Sequence, residues 1–584
     1  MGCAMLKIAR YLRYFKKEVI LGPIFKLIEA IFELIVPIVT AKIIDVGVKT
    51  GNVAYVWRMG GIMLLLGVVG LCSALICQKL ASVASQGFGT VVRNDLYKHI
   101  NSFSHVEIDK FGTPSLITRM INDVNQLQYA VAMLIRLVVR APFLALGAIV
   151  MAMMIDFQLS LVFLIATPLI ALVLYLVMSR SVPYFRVMQK KLDKISLISR
   201  EGLSGVRVIR AFSKQKSEES RFQQASDEQT NTAIQVGKLS ALLNPLTYTI
   251  MNFAIIAIIW FGGYRVNSGG MTQGEVIAFV NYMTQTLLAL IVVANLVVTF
   301  TKASASASRV NEIFDTVTTV PEINTEFVKV QGNMAVPKIE FQNVSFSYDH
   351  TDKYAIKDLS LEIKAGETIG IIGGTGSGKS TLVNLIPRFY DVTKGDILID
   401  GINVRDYPFE QLRSEVGMVP QESILFTGTI ESNMRWASET VSEEQIHKAL
   451  EIAQAAEFMD RLPEGLKTPV NQGGKNFSGG QRQRLTIARA LVGNPQILIL
   501  DDSASALDFA TDAALRKAIK NETKGMTVLM VSQRASTIRR ADKIIVMDDG
   551  EIVGIGTHEE LMGTCETYQE ICLSQLSQDE VNKK

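Results

Sequence analysis

Cysteine is scarce in this chain: 584 residues hold Cys3, Cys72, Cys77, Cys565 and Cys572 and no others. They form no CxxC pair and no metal-ligand spacing. That excludes a disulfide scaffold or a thiolate metal centre, and suits free thiols facing a reducing cytosol or lipid. Charge of one sign is missing too. Lys and Arg total 59 against 56 Asp and Glu, a net charge of +3, and no basic tract is interleaved with aromatics. Nucleic acid is therefore not expected as a partner. No internal repeat of about 20–50 residues and no low-complexity tract is present. A cleavable signal peptide is not expected either. The basic start (Lys7, Arg10, Arg13, Lys16, Lys17) runs into an apolar segment that is long and carries acids, so it should be retained as a membrane span.

What the chain does have is long apolar runs. It is 48% hydrophobic with a mean hydropathy of +0.26, and its length points to more than one domain. The apolar excess lies before about residue 300. Six runs, at about 19–41, 57–84, 130–155, 159–181, 240–264 and 274–300, can each supply the roughly 20 residues of a bilayer helix. Connections after the second and fourth are long, about 86–126 and 183–238. The latter carries Arg186, Lys190, Lys191, Lys194, Arg200, Arg207, Arg210, Lys214, Lys216 and Arg221, which places both long loops, like the basic N-terminus, in the cytoplasm. Their helical periodicity (Ile117, Met120, Val124, Leu127) predicts that the spans continue as helices below the membrane. Residues 5–17 should form a helix at the cytoplasmic interface. The expected fold is an all-α transmembrane domain of six helices over 1–317, a linker over 318–337 bounded by Pro321 and Pro337, an α/β P-loop domain over 338–575, and a polar tail over 576–584.

The soluble half carries nucleotide chemistry. An apolar strand, Thr368–Ile372, leads into Gly373-Gly374-Thr375-Gly376-Ser377-Gly378-Lys379-Ser380-Thr381, a GxxxxGK[ST] loop before a helical pattern. Its backbone N–H groups can wrap phosphates, Lys379 can reach the β and γ phosphates of ATP, and the Ser380 hydroxyl can bind Mg²⁺. Ile497-Leu498-Ile499-Leu500-Asp501 is a second apolar strand, ending in an acid suited to the Mg²⁺ shell. Between them, Asn476-Phe477-Ser478-Gly479-Gly480-Gln481 opens another helix. Small residues at a helix N-terminus bring backbone donors and a hydroxyl toward phosphate.

That segment resembles the LSGGQ signature of ATP-binding cassette (ABC) transporters, with Phe477 in place of Leu, and the other pieces follow in the family's order. The resemblance implies that Ser478–Gln481 faces ATP held by a second cassette. It further implies that Tyr348 stacks on adenine, that Gln421 stands between Mg²⁺ and the membrane domain, and that Asp508, in the D-loop Ser505–Asp508, crosses to the opposite site. It covers nearly the whole chain and has the layout of an exporter half-transporter. By the same resemblance the segments around Phe111 and Phe212 are coupling helices pressing on the cassettes. Packing within the loops is the other reading.

Two positions depart from the family pattern. Asp502 stands where a Glu is usual, drawing the carboxylate back by about 1.5 Å, the length of one C–C bond. A positioned base contributes roughly 10²–10⁴ in rate, and a misplacement of about 1 Å can cost on the order of 10². Gln533 stands where a switch His is usual. It can hydrogen-bond a γ-phosphate but cannot bring positive charge to the transition state. The stretch Val470-Asn471-Gln472-Gly473-Gly474 also lacks the family's acidic pattern. Together these predict a slow site that holds ATP, working beside a different half-transporter that carries the Glu and the His. A homodimeric lipid flippase and an ATP-binding regulatory subunit are the alternatives. Glu29 and Glu33, in the first span, either attract cationic amphiphiles or pair with Lys26 or Arg140. Met151–Met154 either line an adaptable cavity or pack against helices and lipid. No peptidase domain is expected before the spans, which speaks against a peptide-maturation role.

Overall fold

The computed structural model describes residues 2–322, 326–328, 336–348, 353–438, 440–523 and 525–575. Half of the expected linker and all of the expected tail lie outside them. The chain forms two compact units: Met1–Asn101 with Thr113–Thr316, and Ser102–Gly112 with Val317–Lys584.

The first unit is helical. Helices over Lys16–Lys42, Val53–Asn101, Thr113–Ile155, Phe157–Ser204, Gln215–Asn267 and Gln273–Asp315 each contain one expected span. All but the first are long and apolar enough to cross a membrane, a set of five. Lys16–Lys42 falls outside that set because Lys26, Glu29 and Glu33 interrupt its middle. Val53–Asn101 has 49 residues; at 1.5 Å per residue it runs about 70 Å, more than twice the roughly 30 Å hydrocarbon core. The basic start is helical over Gly2–Ala9 and tightens to a 3₁₀ turn over Arg10–Phe15. Its apolar side is buried at Ile8 and Tyr11, and Lys7 reaches Asp315 at 2.7 Å.

Buried acids pin these helices together. Asp156 caps Phe157–Ser204 by accepting the Leu159 N–H at 2.8 Å, and also accepts from Arg265 at 2.6 and 3.0 Å. Asp123 accepts from the Ser306 hydroxyl at 2.9 Å and from the Arg309 guanidinium. The acids of the first span are paired: Lys26 with Glu29 at 2.6 Å and Arg140 with Glu33 at 2.7 Å.

The second unit is α/β. Its strands are β1 (Ile339–Phe346), β2 (Ile356–Ile363), β3 (Thr368–Gly373), β4 (Lys394–Ile399), β5 (Ile402–Asn403), β6 (Val416–Val419), β7 (Gly428–Thr429), β8 (Pro469–Val470), β9 (Ile497–Asp501), β10 (Thr527–Val531), β11 (Lys543–Asp548) and β12 (Glu551–Gly556). A six-stranded sheet runs β12-β11-β3-β10-β9-β6. It is parallel from β11 to β6, with β12 antiparallel at the edge. β9 and β10 are buried along their whole length, as their unbroken apolar runs require of a sheet covered on both faces. A four-stranded antiparallel sheet, β2-β1-β4-β5, packs as a second layer.

Ser102–Gly112 folds with this unit. His105 stacks on Phe389 with ring centroids 4.6 Å apart, and Phe111 stacks on Phe103 at 6.1 Å. Phe212, its counterpart in the other long loop, is 72% exposed.

Candidate nucleotide site

Sheet order assembles the site. In register, Val531 of β10 lies beside Ile371 of β3 and Asp501 of β9, and Val419 of β6 lies beside Leu500. The loops leaving these four strands therefore meet on one edge, the carboxyl ends of parallel strands, where α/β proteins bind ligands. They carry the glycine-rich loop, Ser532-Gln533, Asp501-Asp502 and Gln421.

The glycine-rich loop ends at Gly378, whose φ of +95° admits no side chain without strain; a Cβ there would also sit 2.7 Å from the Ala355 carbonyl. Helix Lys379–Leu385 starts at that point. The Lys379 ammonium donates to the carbonyls of Gly373 (3.0 Å) and Gly374 (2.6 Å) and to the Ser377 hydroxyl (3.2 Å). Burial pulls its pKa down, opposed by the charges of Asp501 and Asp502. Gly374, Thr375 and Gly376 are exposed, so the rim of the loop is open to a phosphate chain.

The two expected Mg²⁺ ligands are adjacent. The Ser380 hydroxyl donates to Asp501 Oδ1 at 2.9 Å. Burial raises the Asp501 pKa, and the Ser380 bond opposes the rise. A hydroxyl and a carboxylate oxygen side by side suit a hard cation whose other ligands are water and phosphate oxygens. Among the described residues no cluster of three His, Cys, Asp or Glu could hold a metal by protein ligands alone. Gln421 is exposed, two residues beyond the end of β6.

Asp502 has a φ of +47°, a left-handed conformation that Asp tolerates better than most residues. Its N–H donates to the Val531 carbonyl at 3.0 Å. Burial raises its pKa, opposed first by the nearby Gln533 backbone N–H and then by the charges of Arg534 and Lys379. The two departing positions thus follow adjacent strands, β9 and β10. The Gln533 side chain is exposed, and its carbonyl accepts from Gln575 Nε2 at 2.7 Å. Arg534 reaches the Ser505 and Leu507 carbonyls at 3.4 and 3.5 Å, tying this loop to the D-loop.

Tyr348 donates or accepts at Thr381 Oγ1 over 2.9 Å and meets Tyr390 edge-on at 5.2 Å. Its ring is 42% exposed, next to the helix that follows the glycine-rich loop. The signature segment is elsewhere. Ser478 caps Gly479–Val492 in a capping box, accepting the Gln481 N–H while its own N–H donates to Gln481 Oε1 at 2.8 Å. A Cβ on Gly480 would meet the Ala506 carbonyl at 3.2 Å, so this helix start packs on the D-loop. Among the described residues no hydrogen bond joins Ser478–Gln481 to the glycine-rich loop. Asp508 caps Phe509–Glu522 through Thr511, at 2.9 Å to its N–H and 2.8 Å to its hydroxyl. Arg534 and Gln575 escape sequence reading. Both act on backbone carbonyls or amides, which leave no side-chain pattern.

Fold and site define a multi-pass membrane protein joined to a P-loop nucleotide-binding unit. The family description 'ABC transporter transmembrane region' matches residues 19–290, and the family description 'ABC transporter' matches residues 356–505. An uncharacterised ABC transporter ATP-binding protein of Mycobacterium tuberculosis is 39% identical over 97% of both chains. A lipid A-core flippase of Syntrophus aciditrophicus is 34% identical over 90% of this chain and 87% of that one. A putative multidrug export ATP-binding/permease protein of Bacillus subtilis is 34% identical over 82% of each. The fold matches the structure of a bacterial Atm1-family ABC exporter with ATP bound, with a TM-score of 0.79 over 97% of this chain and 100% of that one, at 24% identity. The chain belongs to the ABC transporter family.

Proposed function

We propose that this chain is one half of a heterodimeric ABC exporter that moves lipophilic or drug-like substrates out of the cytoplasm or inner leaflet. Six helices cross the cell membrane, with Lys16–Lys42 as the first, and the N-terminus and cassette lie in the cytoplasm. Ser380 and Asp501 hold Mg²⁺ with Gln421 at its side, the loop Gly373–Thr381 holds the phosphates, and Tyr348 takes the adenine. ATP bound there turns over slowly. Ser478–Gln481 and Asp508 complete a competent site on a different half-transporter that carries the Glu and the His. A retained ATP then serves as a conformational ligand that keeps the cassettes together.

One observation carries this reading: the N–H of Asp502, one carbon short of the usual Glu, donates to the Val531 carbonyl at 3.0 Å, so the acid stands beside the loop in which Gln533 replaces the usual His. A base drawn back by one carbon then works beside a loop that brings no imidazole. The slow chain should hold ATP when purified alone in lipid and hydrolyse it poorly, while Asp502→Glu/Gln533→His should gain rate. Ordinary transporter turnover by the unmodified chain would defeat the heterodimer. The lipid A-core flippase relatives favour a second reading, a homodimeric flippase with Asp502 as an adequate base. That same measurement separates the two.

A further inference from the structure

The last described helix, Glu566–Gln575, is fixed by one face. Tyr568 and Cys572 are both fully buried, and the Tyr568 hydroxyl meets His558 Nδ1 at 2.9 Å. Gln575 follows at i+3 from Cys572 and i+7 from Tyr568, so it shares their face. Its side-chain amide makes two hydrogen bonds to one loop. Nε2 donates to the Gln533 carbonyl at 2.7 Å, and Oε1 accepts the Ala535 N–H at 2.9 Å. This is the strand-like pairing of an amide with residues i and i+2, and it fixes which end of the amide faces which atom.

We propose that Gln575 is a positioning residue of the nucleotide site, holding the switch loop in register. The loop backbone is gripped at two points, the Gln533 C=O and the Ala535 N–H. Arg534, between the two clamped residues, has its N–H on the Ser532 hydroxyl at 3.0 Å. With the backbone pinned, the exposed side chain at 533 is aimed by the loop and not by its own contacts. The C-terminal helix thereby becomes part of the nucleotide-sensing apparatus. Gln575 acts on backbone atoms, so its effect is independent of which residue stands at 533 and of whether the site is fast or slow.

The test uses the full-length chain in lipid nanodiscs, loaded with Mg²⁺ and the non-hydrolysable analogue AMP-PNP. Retention of the analogue and amide exchange at Ala535 are measured in both the natural and the Asp502→Glu/Gln533→His backgrounds. Gln575→Ala should shorten retention about three- to tenfold, the effect of losing one or two modest hydrogen bonds, and should speed exchange at Ala535. Gln575→Glu keeps the acceptor for Ala535 but sets a carboxylate against the Gln533 carbonyl. Retention should shorten as in the alanine variant while Ala535 stays protected. Leu573→Ala, at a side chain 55% exposed on the same helix, should change neither. Retention unchanged in Gln575→Ala, or an equal loss in Leu573→Ala, would overturn the proposal. Since no turnover is involved, fast ATPase activity would count against the slow-site reading alone.

Discussion

Glu107 should fasten the segment Ser102–Gly112 to the start of the second unit, and its removal has a calculable cost. The side chain is 3% exposed. Oε2 accepts from the Ser104 N–H (2.9 Å), the Ser104 hydroxyl (2.6 Å) and the Thr318 hydroxyl (3.4 Å), and Oε1 accepts the Thr319 N–H (3.0 Å). Burial alone would raise its pKa, but these donors outweigh it and hold the group below the usual Glu value. In Glu107→Gln one oxygen becomes an NH₂. Placed toward Thr319, it sets donor against donor; placed toward Ser104, it opposes two or three. Either way a buried donor loses its acceptor, at about 1–3 kcal/mol, and the remaining bonds lose charge assistance worth about 1 kcal/mol more. A total of about 2–4 kcal/mol corresponds to a rise in local opening of about 30- to 1,000-fold. Amide exchange at Ser104 and Thr319 in the full-length chain reads this directly. The pH dependence supplies a second check. A depressed carboxyl pKa stabilises above the unfolded value and loses that stability as pH falls through the folded one. The gap between wild type and Glu107→Gln should therefore be full at neutral pH and shrink as pH falls below the unfolded Glu value of about 4.3. Protection at Thr319 unchanged in the variant, or a gap independent of pH, would refute the clamp.

Ser380→Ala removes the hydroxyl that bonds Asp501 at 2.9 Å; Mg²⁺-dependent ATP affinity should fall about 10- to 100-fold, as for hydrogen bonds to charged groups, and a Mg²⁺ titration with an unchanged midpoint would count against the assignment. Gly474→Ala forces a side chain into a φ of +67° with Cβ 2.9 Å from Arg482 Cδ and 3.0 Å from Leu425 Cδ1; a loss of about 1–3 kcal/mol should show as a lower unfolding temperature and weaker support of a partner's ATPase. Because burial raises the Asp502 pKa, any residual hydrolysis that uses it as base should decline on acidification starting above the ordinary Asp value of about 3.9, and a rate flat across that range would show that Asp502 is not the base.

Much of this molecule is legible in the chain, for definite reasons. Apolar runs long enough for a bilayer mark the helices, and continuous apolar strands ending in Gly373 and Asp501 mark a parallel sheet with its site at one edge. The limits are equally physical. Lys16–Lys42 reads as a span by position with two readings for its acids, and only the fold chooses between them: Glu29 pairs with Lys26 three residues away, and Glu33 with Arg140 on another helix. Glu107 reads as a surface acid in a charged loop, although it is buried against Thr318 and Thr319, more than 200 residues away. Gln575 has no motif at all. Contacts between a side chain and distant backbone leave no periodicity, so they become visible only once the chain is folded.

The same principle changes how Asp502 and Gln533 should be read. By sequence they are two separate departures, a shortened base and a missing imidazole. In the folded chain they are neighbours: the Asp502 N–H donates to the Val531 carbonyl, two residues before Gln533. A Glu at 502 carries its carboxylate about 1.5 Å farther from its own backbone. It must also accept a φ of +47° with a longer stem, on a backbone held to Val531. The strand end strained by that change leads into the loop that has to present a histidine. Repair should therefore be non-additive. Asp502→Glu alone extends the base without supplying charge for the transition state, and Gln533→His alone supplies that charge beside a carboxylate that falls short. A double-mutant cycle on ATPase turnover should give a coupling of about 0.5–3 kcal/mol in favour of the double variant, or about 2- to 150-fold beyond the product of the single effects. If the two effects simply multiply, the closeness of the two positions carries no function, and each chemical group acts on the rate independently.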